Sequence, residues 1–193
     1  MTAPDLVAAL LPVIEALDSL GVRYYVGGSV ASSIHGVPRA SIDADVVAEL
    51  GAQHVAPLAA GLSALYYRDE HRMREAVERR LSFNVIHLAT MFKVDVFVSK
   101  GRPFDVAASG RARLEALGES PEAPRARVAS PEDTLLAKLE WYRRGGESSE
   151  RQWSDIIGLL KVRAGRLELA YLAEWAKALG VADLLERASL QAG

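Results

Sequence analysis

The stretch from Tyr24 to Leu50, YYVGGSVASSIHGVPRASIDADVVAEL, constrains this chain more than any other. An apolar strand runs into Gly27-Gly28-Ser29, a short helix and a loop follow, and a second strand carries Asp43 and Asp45. Side chains alternate along a strand, so Asp43 and Asp45 share one face while Ile42, Ala44 and Val46 take the other. Carboxylates anchored about 6–7 Å apart can converge on divalent cations. Gly27 and Gly28 let the backbone turn sharply, and the free N–H groups of the helix opened by Ser29 attract an anion. A phosphate cradle beside an acidic pair points to chemistry on a nucleoside triphosphate.

The flanking chain supplies a scaffold. Leu6, Leu10, Leu11, Ile14 and Leu17 recur at helical spacing, and Gly21 stops that helix. Val22–Val26 is the first strand, Val30–His35 a helix ended by Gly36-Val37-Pro38, and Ser41–Ala48 the acidic strand. Val55, Leu58, Leu62, Leu65 and Tyr66 mark another amphipathic helix. The charged run 68–80 reads as a solvated helix or a loop. Leu81–Leu88 and Phe92–Val98 are expected to form strands joined by a tight turn at Ala89-Thr90-Met91. A helix over Phe104–Leu117 and a short strand over Arg125–Ala129 complete the sheet-bearing part. Ser130-Pro131-Glu132-Asp133 then opens a helix with a capping hydroxyl, proline at the first position and acids in the first turn. Four helices follow to the C-terminus: 131–144, 150–163, 167–179 and 181–189.

Strands gathered early and helices gathered late predict an α+β fold, with a body over 1–129 and a C-terminal helical region over 130–193. The chain has 193 residues, 50% of them apolar, enough to bury a core on that scale. Its net charge of −2 advertises neither nucleic acid nor an anionic membrane. With no cysteine, disulfides and thiolate metal sites are excluded, and a reducing compartment fits. Asp5 and Glu15 interrupt the first apolar helix, which reads as neither signal peptide nor membrane span; the expected location is the cytoplasm.

In the strand Phe92–Val98, Lys93, Asp95 and Phe97 share a face, opposite Phe92, Val94, Val96 and Val98. An acid in so apolar a strand is costly to bury unless it is paired or binds metal. A metal shared with Asp43 and Asp45 would account for Asp95, and so would an ion pair with Lys93 or an arginine.

Gly27-Gly28-Ser29, then Asp43-x-Asp45 about a dozen residues on, then Asp95 on a separate strand, resembles the DNA polymerase β-like nucleotidyltransferase superfamily. Arg39-x-Ser41-x-Asp43-x-Asp45, with Pro131-Glu132-Asp133, Lys138 and Trp153-Ser154-Asp155, is similar to its AbiEii-type toxin group. Ala44, Ser41 and Ser154 depart from that group's usual residues. The resemblance implies a nucleotidyltransferase-like mixed sheet flanked by helices. It implies transfer of a nucleoside monophosphate from an NTP to an acceptor hydroxyl, with pyrophosphate leaving. Two Mg2+ (or Mn2+) ions about 3.5–4 Å apart would clamp the reacting oxygens. By the same resemblance, Asp43, Asp45 and Asp95 are both the metal ligands and the catalytic residues, with Asp95 receiving the acceptor's proton. Gly27, Gly28 and Ser29 would hold phosphate, with Lys138 offsetting its charge and Asp155 holding Lys138 or touching the nucleotide.

The acceptor that this implies is an RNA end, a protein or a small molecule. The AbiEii likeness adds a toxin of a toxin–antitoxin or phage-defence pair, with a cognate antitoxin as partner and no membrane. Simpler readings stand beside these. Lys138 and Asp155 would equally form a structural ion pair, and Arg39 would contact phosphate or, the reading preferred here, close its loop. Trp141, Tyr142, Trp153, Tyr171 and Trp175 are expected to pack between helices. A non-catalytic module that binds a nucleotide or a partner is the rival reading of the whole chain.

Overall fold

The computed structural model describes residues 3–118 and 120–193. They divide into two compact units, the first holding the residues up to Val30 with Ala40–Val128, the second Ala31–Arg39 with Ala129–Gly193. The segment Ala31–Arg39 therefore groups with residues almost a hundred positions away (about 90 from its end).

In the first unit, helix α1 (Ala3–Ser19) turns Ala9, Leu10, Val13, Ile14 and Leu17 inward, and Gly21, at φ 65°, ends it. Seven strands form one sheet: β1 (Tyr24–Val26), β2 (Asp43–Ala48), β3 (Tyr66–Tyr67), β4 (Ser82–His87), β5 (Lys93–Val98), β6 (Arg113–Ala116) and β7 (Arg125–Val128). Their order is β3-β4-β5-β2-β1-β7-β6. The β2–β5 and β1–β7 pairs are parallel and the rest antiparallel, so the sheet is mixed. Alternation turns Ala44, Val46, Val85, Val94, Val96, Ala126 and Val128 into the core. Helices α3 (Ala52–Gly61), α4 (Glu70–Arg79) and α5 (Pro103–Arg111) belong to the same unit. The charged run is the amphipathic helix α4: Asp69 caps its start and Met73, Ala76 and Val77 face inward.

Two expected helices are shorter than their patterns suggest. The one through Val55 stops at Gly61, and Tyr66 and Tyr67 pair with His87 and Ile86 as an edge strand. Tyr66 is drawn into that strand by burial, since its hydroxyl donates to the Ala9 carbonyl at 2.6 Å. The other helix ends at Arg111, and Arg113–Ala116 pairs with β7 instead. Arg-Leu-Glu-Ala favours a helix on its own; ladder hydrogen bonds to β7 override that preference. Ile42 lies ahead of β2 and is exposed rather than turned inward with Ala44.

The second unit is helical around α6 (Pro131–Arg144), α7 (Glu150–Val162), α8 (Leu169–Ala178) and α9 (Ala182–Ala192). Helix α2 (Gly28–His35) starts in the first unit and continues into the second. The Ser130 hydroxyl accepts from the Asp133 N–H at 3.1 Å, and Pro131 takes the first helical position of α6. Leu135, Leu136, Leu139, Ile156, Leu159, Leu172 and Leu184 form the core. Tyr142 and Trp153 meet at 5.0 Å with the Arg187 guanidinium 4.3 Å over the indole. Trp141, expected to pack inward, is half exposed with Arg144 over its ring. Among the described residues no helix is long and apolar enough to cross a membrane.

Burial, and after it the charge of Glu15, holds the Tyr66 phenol above its ordinary range, so it remains a donor. Tyr66→Phe is therefore expected to lose about 1 kcal/mol of stability, read as a lower urea midpoint with an unchanged m-value.

Candidate active site

The carboxylates are positioned by strand alternation and by register. In β2, Ala44, Val46 and Ala48 are buried while Asp43, Asp45 and Val47 face the other way. In β5, Val94, Val96 and Val98 are buried while Lys93, Asp95 and Phe97 do the same. Parallel pairing sets Asp43 beside Lys93 and Asp45 beside Asp95. The three acids thus share one face of two neighbouring strands. On the far side of β5, exposed Asn84 is paired with Asp95.

Gly28 is the first residue of α2 and has φ 53°, a left-handed conformation that disfavours side chains. A Cβ built there would lie 1.6 Å from Asp45 Oδ2, so the carboxylate occupies the space that a side chain would fill. The Gly27 N–H donates to the Asp45 carbonyl at 2.9 Å, which ties the turn to β2. A carboxylate lying against the N-terminus of a helix is stabilised by the unpaired N–H groups there. Ser29 is buried, and its hydroxyl is 2.6 Å from that of Ser41. Ser41 in turn donates to the Asp43 carbonyl at 2.8 Å. Ser29 is thus part of a hydroxyl chain that braces the start of β2.

Lys93 lies among the acids. Its Nζ is 2.6 Å from Asp95 Oδ2 and 4.0 Å from Asp43 Oδ2. The hydrogen bond to Asp95, reinforced by the charges of Asp95, Asp43 and Asp45, holds this ammonium above the usual lysine range. The three carboxylates offer hard oxygen donors of the kind that suit Mg2+ or Mn2+, on one face and in register. Their present arrangement is not a cage: among the described residues no three acidic or histidine side chains are gathered as metal ligands. They fit a divalent ion in donor type and face, with Lys93 as the cation now among them.

Lys138 and Asp155 belong to the second unit and meet there. Lys138 on α6 donates from Nζ to Asp155 Oδ2 at 2.8 Å. Arg39, expected to close its loop rather than to contact phosphate, grips the same carboxylate with two parallel bonds, Nε to Oδ1 at 2.8 Å and Nη2 to Oδ2 at 2.7 Å. It also closes the loop, through contacts of its backbone with the Ser33 hydroxyl. Burial is the largest influence on Asp155 and raises its pKa, but the Arg39 and Lys138 cations together outweigh it, and the net direction is down. A cleft of about 550 Å³ in this unit is lined by Ser32, Val37, Arg39, Trp153, Asp155 and Lys161, among others. Nothing in linear spacing joins Arg39 to Asp155, which lie 116 positions apart.

Gly28→Ala is expected to force Asp45 away and to cost at least about 2 kcal/mol, from left-handed strain and the collision. Gly27→Ala, whose added Cβ would have only the Tyr25 ring 3.9 Å away, is expected to change stability by less than about 1 kcal/mol. Denaturant titration of the pair checks this. Asp155→Asn leaves two cations short of their carboxylate and is expected to cost about 3 kcal/mol. Because the folded pKa of Asp155 lies below the unfolded value of about 3.9, its contribution is full above that pH and fades as pH falls through the folded value. Stability measured against pH should therefore drop more steeply on acidification in the parent than in Asp155→Asn.

No family model matches this chain, and no curated protein sequence matches it. Solved structures do. The antibiotic-resistance factor ANT(2'')-Ia in solution superposes with a TM-score of 0.58 at 15% identity, over 98% of this chain and 97% of that one. ANT(2'')-Ia in complex with adenylyl-2''-tobramycin gives 0.58 at 13%, over 91% and 97%. A lincosamide antibiotic adenylyltransferase, LnuA, with lincomycin bound, gives 0.50 at 16%, over 84% and 98%. At these identities the likeness speaks for the fold alone: an α+β chain built like the nucleotidyltransferases.

Proposed function

We propose that this chain is a metal-dependent nucleotidyltransferase that moves a nucleoside monophosphate from an NTP to an acceptor hydroxyl, releasing pyrophosphate. The observation that carries the reading is the Asp45–Asp95 register, which sets three acids on one face with Gly28 against Asp45. In this reading Asp43, Asp45 and Asp95 are the ligands of Mg2+ or Mn2+, and the ion, when bound, supplies positive charge to the phosphoryl oxygens. Asp95 takes the proton from the acceptor hydroxyl. Gly28 and Ser29, at the N-terminus of α2, would offer backbone N–H groups to the phosphate oxygens, while Gly27, whose own N–H is held by the Asp45 carbonyl, shapes the turn. Lys138 and Asp155 enter nucleotide binding by resemblance alone; what supports an ordered Lys138 is its ion pair within the second unit.

For the acceptor, the likeness to ANT(2'')-Ia and LnuA favours a small hydroxylated molecule of the antibiotic kind over an RNA end or a protein. The toxin role, with its antitoxin, rests on the Arg39-x-Ser41-x-Asp43-x-Asp45 pattern.

The test is incubation with each of four α-labelled nucleotides, Mg2+ or Mn2+, and a panel holding an aminoglycoside, a lincosamide and tRNA. Label is expected on a small molecule. Asp43→Asn and Asp45→Asn should each lower transfer by at least about 100-fold, and Asp95→Asn by about 100- to 10,000-fold. Metal-dependent triphosphate binding by calorimetry, with no transfer to any acceptor, would favour the binding module instead.

A further inference from the structure

Lys93 has no part in the reaction just described, yet it occupies the centre of the acidic face. Its Cα is paired across the strands with that of Asp43, so the register that aligns the acids also delivers the ammonium among them. It bridges the two strands, bonded to Asp95 on its own strand and 4.0 Å from Asp43 on β2. The Asp45 carboxylate lies against Gly28 at the start of α2 and adds its charge to the same face.

We propose that the Lys93 ammonium is a resident cation that takes the place of one of the two metal ions, so that this site works with a single divalent ion. The inference rests on the nucleotidyl-transfer reading and deepens it. Charge balance of the nucleotide-free site supports it: three carboxylates and one ammonium leave a deficit that one divalent ion fills. A second divalent ion between Asp43 and Asp95 would lie within a few ångströms of the ammonium, where like charges repel strongly in a half-buried setting. The side-chain accessibilities, 41% for Lys93 and 19% for Asp95, describe such a setting. Lys93 is a tethered charge that needs no binding step, and it costs the site its second ion.

Counting bound Mn2+ tests this directly. Electron paramagnetic resonance of free Mn2+ would be followed during titration of the full chain, with and without inorganic triphosphate. One protein-bound ion is expected for the parent, and two for Lys93→Ala and Lys93→Gln. Two ions in the parent would overturn the proposal even if neither variant folds. One ion in parent and variants alike would also overturn it while leaving nucleotidyl transfer intact. No ion in any of them, together with no label transfer, would remove both readings.

Discussion

Parallel pairing of β2 with β5, in the register that opposes Asp45 to Asp95, is the constraint on which the acidic face depends. Neither strand can slip. A shift of one residue would turn Asp43 and Asp45 into the core and Ala44 and Val46 out of it. Burial of Ala44, Val46, Val94 and Val96 on the reverse face thus holds the polar groups in place from behind. The same bonds that fill the core choose which charges meet. A third link comes from the turn before α2, where the Gly27 N–H holds the Asp45 carbonyl and Gly28 makes room for its carboxylate. The acidic face and the core behind it are therefore set by a single register.

The second unit solves a related problem with a different device. Asp155, on α7, is nearly out of solvent and would be costly there alone. Two cations offset that cost, one from α6 and one from the loop after α2, and each is drawn from a distant part of the chain. The pairing joins three segments at one carboxylate. Because the Arg39 contact is a two-bond fork, it fixes the direction of the loop as well as its position. Glycines allow the approach nearby: a Cβ at Gly158 would meet Val37 at 3.2 Å, and one at Gly36 would meet the Ser32 carbonyl at 3.0 Å.

Groups whose meaning is local were legible in the residues, and groups whose meaning is a distant partner were not. Asp43, Asp45 and Asp95 could be assigned to faces because alternation is a property of each strand alone. The cap at Ser130 and the Gly28 turn are likewise local chemistry. That Lys93 shared a face with Asp95 was readable too, whereas its reach to Asp43 needed the β2–β5 register. Arg39 was read as closing a loop because its partner lies on α7, beyond any spacing argument. Strands β3 and β6 went unread for a similar reason. Each is too short to show alternation, and each is stabilised by the strand beside it rather than by its own preference.

Crowding like charges on one face opposes folding, and this chain offsets that cost separately for each acid. Asp95 has an ammonium, Asp43 has the Ser41 hydroxyl at 3.2 Å and the same ammonium at its margin, and Asp45 has the start of α2. These are partial remedies. An ion pair in a half-exposed setting contributes modestly, and a helix terminus contributes on the order of 0.3–1 kcal/mol. A surface selected for stability alone would carry neutral residues here and need none of these compensations. The acids stand beside the turn that opens α2, with Lys93 between Asp95 and Asp43 and the Asp45 carboxylate against Gly28. Like charges gathered on one face in this way raise the local attraction for any added positive charge.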